Sequence, residues 1–289
     1  MMHNSPKLES LILDLRDRVL ELAPDMMPVF DVYANEARFG ASVIEPDLFR
    51  LPSGGRVLEI GGGMMLLSCH LQREGYAVTS VEPVGQGFSH FHHLRGIVLD
   101  RALRGGFGPA LVSIRAEELE FDSEFDYAFS INVMEHVADV AMVLRRALSA
   151  VRPGGRYRFL CPNYAFPYEP HFNIPTLISK KWTKRLMGKW IRSSQAVLDP
   201  EGTWMSLNWI SVPEVRRICI EELGLEPVFD RSILCRFVQR AVHDHEFQSR
   251  RGGWIPRVIR GLDRLGATKL CMKVPVVCQP AMDCAIVRV

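Results

Sequence analysis

The chain has 289 residues, 47% hydrophobic and 24% charged, an ordinary globular balance that suits one large domain or one domain with an elaborated cap. Its formal net charge is only +2, so the surface as a whole is not built to neutralise a phosphate backbone, and nucleic acid is not the expected partner. Seven cysteines are scattered without a C-x-x-C pair, which indicates reduced thiols rather than a disulfide framework or a zinc ribbon.

Met1 to Arg16 is polar and lacks the apolar run of a secretory signal. No later stretch approaches the roughly 18–20 apolar residues of a membrane span. The expected location is therefore the cytoplasm, with contact at a membrane surface left open. Leu8, Leu11, Leu15, Val19 and Leu22 have the spacing of a helix with one buried stripe, ended by Pro24 and Pro28. The segment from Phe30 to Pro46 is mixed and is expected to drape over the core that follows.

From Arg56 the pattern changes. Arg56 to Ile60 is a short apolar run between turn glycines, as in a buried parallel strand. A helix is expected from Met64 to Glu74, then strands at Ala77–Val81, Ala110–Ile114 and Phe125–Ser130. A helix from about Val137 to Val151 stops at Pro153-Gly-Gly155, and a strand from Arg156 to Cys161 follows. This alternation predicts a parallel sheet covered by helices on both faces. After Pro162, about 50 residues pass without a clear element, a candidate functional insertion. Ser211-Val-Pro-Glu214 then reads as a helix start, closed by Gly224. Glu226–Phe229 and Asp283–Val289 read as the last strands, with a second long insertion between them. All five tryptophans lie beyond residue 180, so the first half reads as scaffold and the second as cap and recognition surface.

The most informative stretch is Val57-Leu-Glu-Ile-Gly-Gly-Gly63. Glycines between a strand and a helix let backbone approach a ligand, because no Cβ intrudes. In an open parallel sheet that turn lies where ligands bind. Glu82 ends the next strand, 23 residues after Glu59, where an acid can accept both hydroxyls of a ribose.

These residues resemble the first motif of the class I S-adenosylmethionine-dependent methyltransferases: an acid, any residue, then Gly-x-Gly-x-Gly. Glu59, Gly61 and Gly63 match. Met65 replaces the last glycine, which would widen the turn at its exit. A nicotinamide enzyme would need Gly-x-Gly-x-x-Gly, and Leu66 stands where its third glycine belongs. Further motifs follow in order. Arg115-Ala-Glu-Glu-Leu-Glu-Phe121 resembles the adenine-side segment, with Arg115 in the place of the usual acid. Phe125 to Ser130 and Val133-Met-Glu-His-Val137 are similar to the fourth strand and its turn. Arg152-Pro-Gly-Gly155 is similar to the entry of the fifth strand.

The resemblance implies a Rossmann-like α/β fold: a seven-stranded sheet with helices on both faces, an antiparallel last strand and a cap built from insertions. Residues 1–50 would form a helical segment or lid, 51–161 the cofactor-binding core, and 162–289 the completion of the sheet with the cap. The cofactor S-adenosylmethionine would be held by Glu59, Gly61, Gly62, Gly63 and Glu82, with Arg115, Ala116, Glu117 and Asn132. A small-molecule or lipid-intermediate acceptor is expected, with O-methylation favoured. A nucleic-acid methyltransferase and a non-catalytic binding protein that kept the fold are the alternatives.

Methyl transfer is an in-line displacement, so the protein must align the acceptor and, where needed, remove its proton. Glu135 and His136 are the first candidates. His136 serves as general base or, in the simpler reading, packs or caps the next helix. Asn132-Val-Met-Glu135-His136 also resembles the Glu-x-x-Glu-His pattern of metal-assisted O-methyltransferases. Asn132 replaces its first carboxylate, which lowers affinity for a hard cation, and no metal is assigned. His171, with Glu169 and nearby tyrosines, either orients the acceptor or belongs to a proline-fixed loop. His90, His92 and His93 do not share one helical face and read as surface histidines. The basic, amphipathic Arg250–Arg264 segment either meets anionic lipid or an acidic substrate, or packs Ile255, Val258, Ile259, Leu262 and Leu265 on the core, the favoured reading.

Overall fold

The computed structural model describes all residues except 1–5, 84–88, 195, 196, 198, 245–247, 249–253 and 265. The helical spacing near the N-terminus becomes α1 (Pro6–Leu22), whose buried face carries Leu8, Leu11, Ile12, Leu15 and Val19. Phe30 to Pro46 packs over the core as part of one long helix, α2 (Met27–Leu48). Small residues, Ala34, Ala37 and Gly40, alternate with Phe30, Phe39, Val43 and Ile44 among its buried residues. Gly40 shows why: a Cβ there would lie 3.0 Å from Leu67 Cδ1 and 3.3 Å from Ile131 Cγ1. The small residue lets α2 press closely on its neighbours.

The alternating middle of the chain gives β1 (Arg56–Ile60), α3 (Leu66–Arg73), β2 (Ala77–Val81), α4 (Ser89–Arg104), β3 (Ala110–Val112), β4 (Phe125–Ile131), α5 (Val140–Ala150) and β5 (Val151–Pro162). β6 (Tyr168–Glu169) and β7 (Ile174–Pro175) form a small antiparallel pair. α6 (Lys180–Arg192), α7 (Pro200–Ser206), α8 (Val212–Arg217), β8 (Val228–Phe229), α9 (Ile233–His243), α10 (Trp254–Arg264) and β9 (Ala281–Val287) complete the chain. Seven strands form one sheet in the order β3-β2-β1-β4-β5-β9-β8. β1 runs parallel to β2 and β4, and β2 to β3, while β8 and β9 are antiparallel. β1 and β2 keep the bounds read from sequence, because both are short, largely buried runs cut off by turns.

The chain divides into two compact units, Met1–Ile131 with Met142–Arg158 and Val287–Val289, and Asn132–Ala141 with Phe159–Ile286. In the first, α1 to α4 pack Leu11, Phe30, Ile44 and Leu94 with the strand residues Val57 and Phe129 into a continuous core. Asp47, 4% exposed at the end of α2, holds a polar knot within that unit. It accepts from Arg158 at 2.9 Å, from Arg156, and from the Tyr127 hydroxyl at 3.4 Å.

In the second unit Asn163, fully buried, ties the exit of β5 to distant chain. Its Nδ2 donates to the carbonyls of Val276, Val277 and Gln279, and its Oδ1 accepts from Ala165 and Val212. The stretch after Pro162 contains β6, β7, α6 and α7 among its described residues. The helix opened by Ser211, whose hydroxyl accepts from the Glu214 amide, runs into a π turn at Ile218–Glu222.

Removing one member of a buried charge cluster strands the others. Asp47→Ala should therefore lower unfolding free energy by about 3 kcal/mol or more in chemical denaturation. Asp47→Asn, which keeps an acceptor for Tyr127, should lose less. Equal stability of Asp47→Ala and the parent would contradict this role.

Candidate functional site

The turn from β1 to α3 is built from backbone that glycine favours. Gly61 and Gly63 take φ of 80° and 53°, a region that costs other residues energy. Gly62 is needed for a different reason: a Cβ there would lie 2.1 Å from Ser80 Oγ. Met65 does not widen the turn. It adopts φ of 69°, as a glycine would, and its amide donates to the Gly62 carbonyl at 2.7 Å. Its side chain is fully buried, which offsets the backbone cost.

Two acids frame this turn. The Gly63 amide donates to Glu82 Oε2 at 3.0 Å, and the Gly61 amide donates to the Val81 carbonyl at 2.7 Å. Arg95 Nη1, buried, lies 3.9 Å from Glu82 Oε1. Burial raises the Glu82 carboxyl above its ordinary range, opposed by the Gly63 amide and Arg95. Glu59, 5% exposed, accepts from the Ser68 hydroxyl. Burial pushes it up to about 8, with Ser68 opposing and Glu82 reinforcing the rise. Ser68, Ser80 and Arg95 escaped the sequence reading, since nothing local marks them. Arg115 caps the short turn Ala116–Glu118, and its exposed side chain pairs with Glu118 at 3.1 Å. Ala116 is buried and Glu117 partly so. Asn132 is exposed with φ of 56°, a conformation asparagine tolerates better than a glutamate would. That accounts for the amide where a carboxylate was looked for.

The second unit gathers Glu135, His136 and His171, whose ligand-type atoms all lie within 4.8 Å of one another. Asn208 fixes the turn that carries the first two. It donates from its amide to the Glu135 carbonyl at 2.8 Å, and from Nδ2 to the carbonyls of Met134 and Val137. His136 Nδ1 lies 2.8 Å from Ser206 Oγ, which in turn donates to the Thr203 carbonyl. A carbonyl only accepts, so the single Ser206 proton goes there and Nδ1 of His136 is the donor. That leaves Nε2 as the basic nitrogen. Burial, with His171 and Lys180 nearby, lowers the His136 imidazole to about 3, so it is neutral at physiological pH.

His171 donates from Nδ1 to Glu169 Oε1 at 2.6 Å. Glu169 is fully buried but also accepts from the amides of His171 and Phe172 and from the Tyr164 hydroxyl. Burial works to raise its carboxyl, and His171 with these donors overcomes it, leaving Glu169 below its ordinary range and ionised. Glu135 is the opposite case. It is fully buried, and among the described residues neither of its oxygens has a hydrogen-bond partner. Burial pushes it up to about 7, with His171 opposing. A buried polar group without partners in the fold calls for a ligand, water or ion. Ser206 and Asn208, which set this geometry, were also missed, being about 70 residues distant in sequence.

Other candidates fall elsewhere. His92 and His93 are exposed on α4, and the side chain of His90 lies outside the described residues. α10 forms within the basic segment, with Arg257 and Arg264 exposed. Residues 250–253 and the side chains of Ile255, Val258, Leu262 and Leu265 lie outside the described residues.

Glu59 yields a pH test. Its folded value stands above the ordinary 4.5, so the fold favours its neutral form. The stability this gives is complete below about pH 4.5 and is lost as pH rises through about 8. Glu59→Gln should flatten that loss, melting at least about 2 °C above the parent near pH 9 with a smaller difference near pH 5. A thermal-shift series with the same pH slope for both proteins would contradict the burial of an ionisable Glu59.

Comparison with known proteins agrees with this architecture. The methyltransferase domain family matches residues 35–228. An uncharacterised protein of Mycobacterium tuberculosis is 41% identical over 281 residues, covering 97% of this chain and 95% of its own. A ubiquinone biosynthesis O-methyltransferase of Rhizobium etli is 35% identical over 112 residues, 38% of this chain and 42% of its own. Among solved structures, phosphoethanolamine N-methyltransferase 2 of Haemonchus contortus, in complex with phosphomonomethylethanolamine and S-adenosylhomocysteine, is similar in fold. Its TM-score is 0.54 at 14% identity, over 95% of this chain and 60% of that one. By its domain match, its sheet order and its glycine turn, the chain belongs to the class I S-adenosylmethionine-dependent methyltransferases.

Proposed function

We propose that the chain transfers a methyl group from S-adenosylmethionine to the oxygen of a small-molecule or lipid-like acceptor, in the cytoplasm. The observation that carries the acceptor chemistry is Glu135, a fully buried carboxyl without hydrogen-bond partners among the described residues, beside two oriented imidazoles. The O-methyltransferase of Rhizobium etli, similar over 112 residues, supports oxygen as the acceptor atom.

The residues fit the cofactor. Gly61–Gly63 carry no Cβ that would hold a ligand off the backbone, and Glu82 is a carboxylate suited to ribose hydroxyls. Buried Glu59 and Glu82 would both gain from a cationic ligand, which offsets the cost of ionising them. When bound, S-adenosylmethionine supplies a methyl group already activated on a sulfonium. The remaining work belongs to the acceptor side. A general base with proton affinity near neutrality suits removal of a hydroxyl proton, and Glu135 at about 7 meets that condition. His171, backed by ionised Glu169, would orient the hydroxyl or relay its proton, a reading its hydrogen bond to Glu169 supports. His136, held near 3, is a poor proton carrier and serves better as a neutral acceptor.

A second reading has its own observation. Both imidazoles commit Nδ1, to Ser206 and to Glu169, the arrangement that aims Nε2 at a metal. With Glu135 they form a two-nitrogen, one-oxygen donor set suited to a divalent transition ion. In that reading the ion would bind the acceptor oxygen and ease loss of its proton.

Two measurements test the proposal. Glu82→Ala should weaken S-adenosylhomocysteine binding roughly ten- to hundredfold by calorimetry; unchanged affinity would displace Glu82 from the ribose. Glu135→Gln should lower the rate of labelled methyl transfer to phenolic or lipid-linked alcohols about a hundredfold or more, with cofactor affinity intact. Full activity of Glu135→Gln would overturn both readings. Dialysis against a chelator separates them: activity that survives supports the base, and activity restored by one divalent ion supports the metal.

A further inference from the structure

α6 carries Lys180, Lys181, Lys184, Arg185, Lys189 and Arg192 and no acidic residue. It is a fixed part of the second unit. Thr183, Gly188 and Ile191 are buried. Thr183 Oγ1 donates to the Ser179 carbonyl and accepts from the Leu177 amide. Lys180 Nζ donates to the Met205 carbonyl at 3.1 Å, and Lys184 pairs with Glu201 at 3.2 Å.

The outward side is unusual. Trp182, Leu186 and Trp190 are 51%, 64% and 68% exposed, and Ile178, just before the N-cap, is 97% exposed. At about 100° per residue, Trp182, Leu186 and Trp190 fall within an arc of about 80°. Lys181, Arg185, Lys189 and Arg192 are also exposed and occupy the adjoining arc of similar width. Arg185 lies over the Trp182 ring at 5.5 Å, on the border between the two. The outer face of one anchored helix is therefore half tryptophan and leucine, half cation.

We propose that α6 docks this chain on the surface of an anionic lipid bilayer. Tryptophan and leucine enter the boundary between headgroups and acyl chains, while the flanking cations meet lipid phosphates. The helix lies in the plane of the surface, as its buried inner face requires. Charge complementarity selects this occupant: the whole chain carries only +2, yet this helix is purely basic. The apolar stripe distinguishes a bilayer from a purely electrostatic partner, which would leave two tryptophans and a leucine in water. The docking does not depend on the acceptor chemistry proposed above and is measured without turnover.

The test is flotation of the full chain with phosphatidylcholine vesicles, with and without a quarter phosphatidylglycerol. Binding is expected to the anionic vesicles only and to weaken as salt rises. The pair Trp182→Ala and Trp190→Ala should lower the partition about tenfold or more. The triple replacement of Lys181, Arg185 and Lys189 by Gln should do the same. All five sites are exposed, so melting temperatures should stay at the parent's value, which keeps a lost signal from being misfolding. Failure to bind anionic vesicles would overturn the proposal, as would undiminished binding by the double tryptophan variant. A dimer in light scattering that the tryptophan variant dissolves, without vesicle binding by the parent, would make the stripe a contact between copies instead. Displacement from vesicles by a single-stranded oligonucleotide that binds α6 more tightly would make it a nucleic-acid surface and equally overturn it.

Discussion

Between Gly61 and Met65 the backbone takes positive φ three times, at Gly61, Gly63 and Met65. Two of these residues do so without a Cβ to collide. Met65 bears a cost of order 1 kcal/mol, balanced by a side chain sunk in the core. The path is held by the Gly61 amide on Val81 and the Gly63 amide on Glu82. It brings the amide of Gly63 and the carboxylate of Glu82 to one place and leaves Gly62 no room for a side chain. The cofactor site proposed for the first unit rests on this turn, where a ligand would meet backbone rather than side chains.

The buried carboxyls divide by their surroundings rather than by residue type. Glu169 and Glu135 are both fully buried in the second unit. Glu169 gathers donors from two amides, a tyrosine and an imidazole, and stays ionised. Glu135 gathers none among the described residues and holds its proton to near neutrality. Two acids so close in kind thus differ in protonation, one ionised against His171 and one proposed to meet an acceptor or ion. Glu59 in the first unit stands between them: it has one donor, the Ser68 hydroxyl, and burial still pushes it up to about 8.

The sheet was largely legible in the sequence. β1 and β2 are short, mostly apolar runs bounded by turns, and their partners follow in the spacing of the family. α2 was harder to read because Ala34, Ala37 and Gly40, with Asp47, interrupt the large apolar residues of its buried face. Met65 looked like a departure from the glycine pattern, yet it keeps the glycine conformation, which composition alone does not reveal. Glu135, His136 and His171 were legible one by one. Their assembly was not, since Ser206 and Asn208 reach them across some 70 residues and leave no local trace. α6 escaped for the reverse reason: Trp182, Leu186 and Trp190 face outward, and its buried side carries only Thr183, Gly188 and Ile191, too little of an apolar stripe to mark a helix.

The central claim is that the glycine turn of the first unit receives an adenosyl sulfonium and not a dinucleotide. Parallel calorimetric titrations of the whole chain with S-adenosylmethionine and with a nicotinamide dinucleotide test it most directly. The account predicts saturable binding of the first and no heat from the second. Saturable binding of the dinucleotide, with none of S-adenosylmethionine, would contradict it.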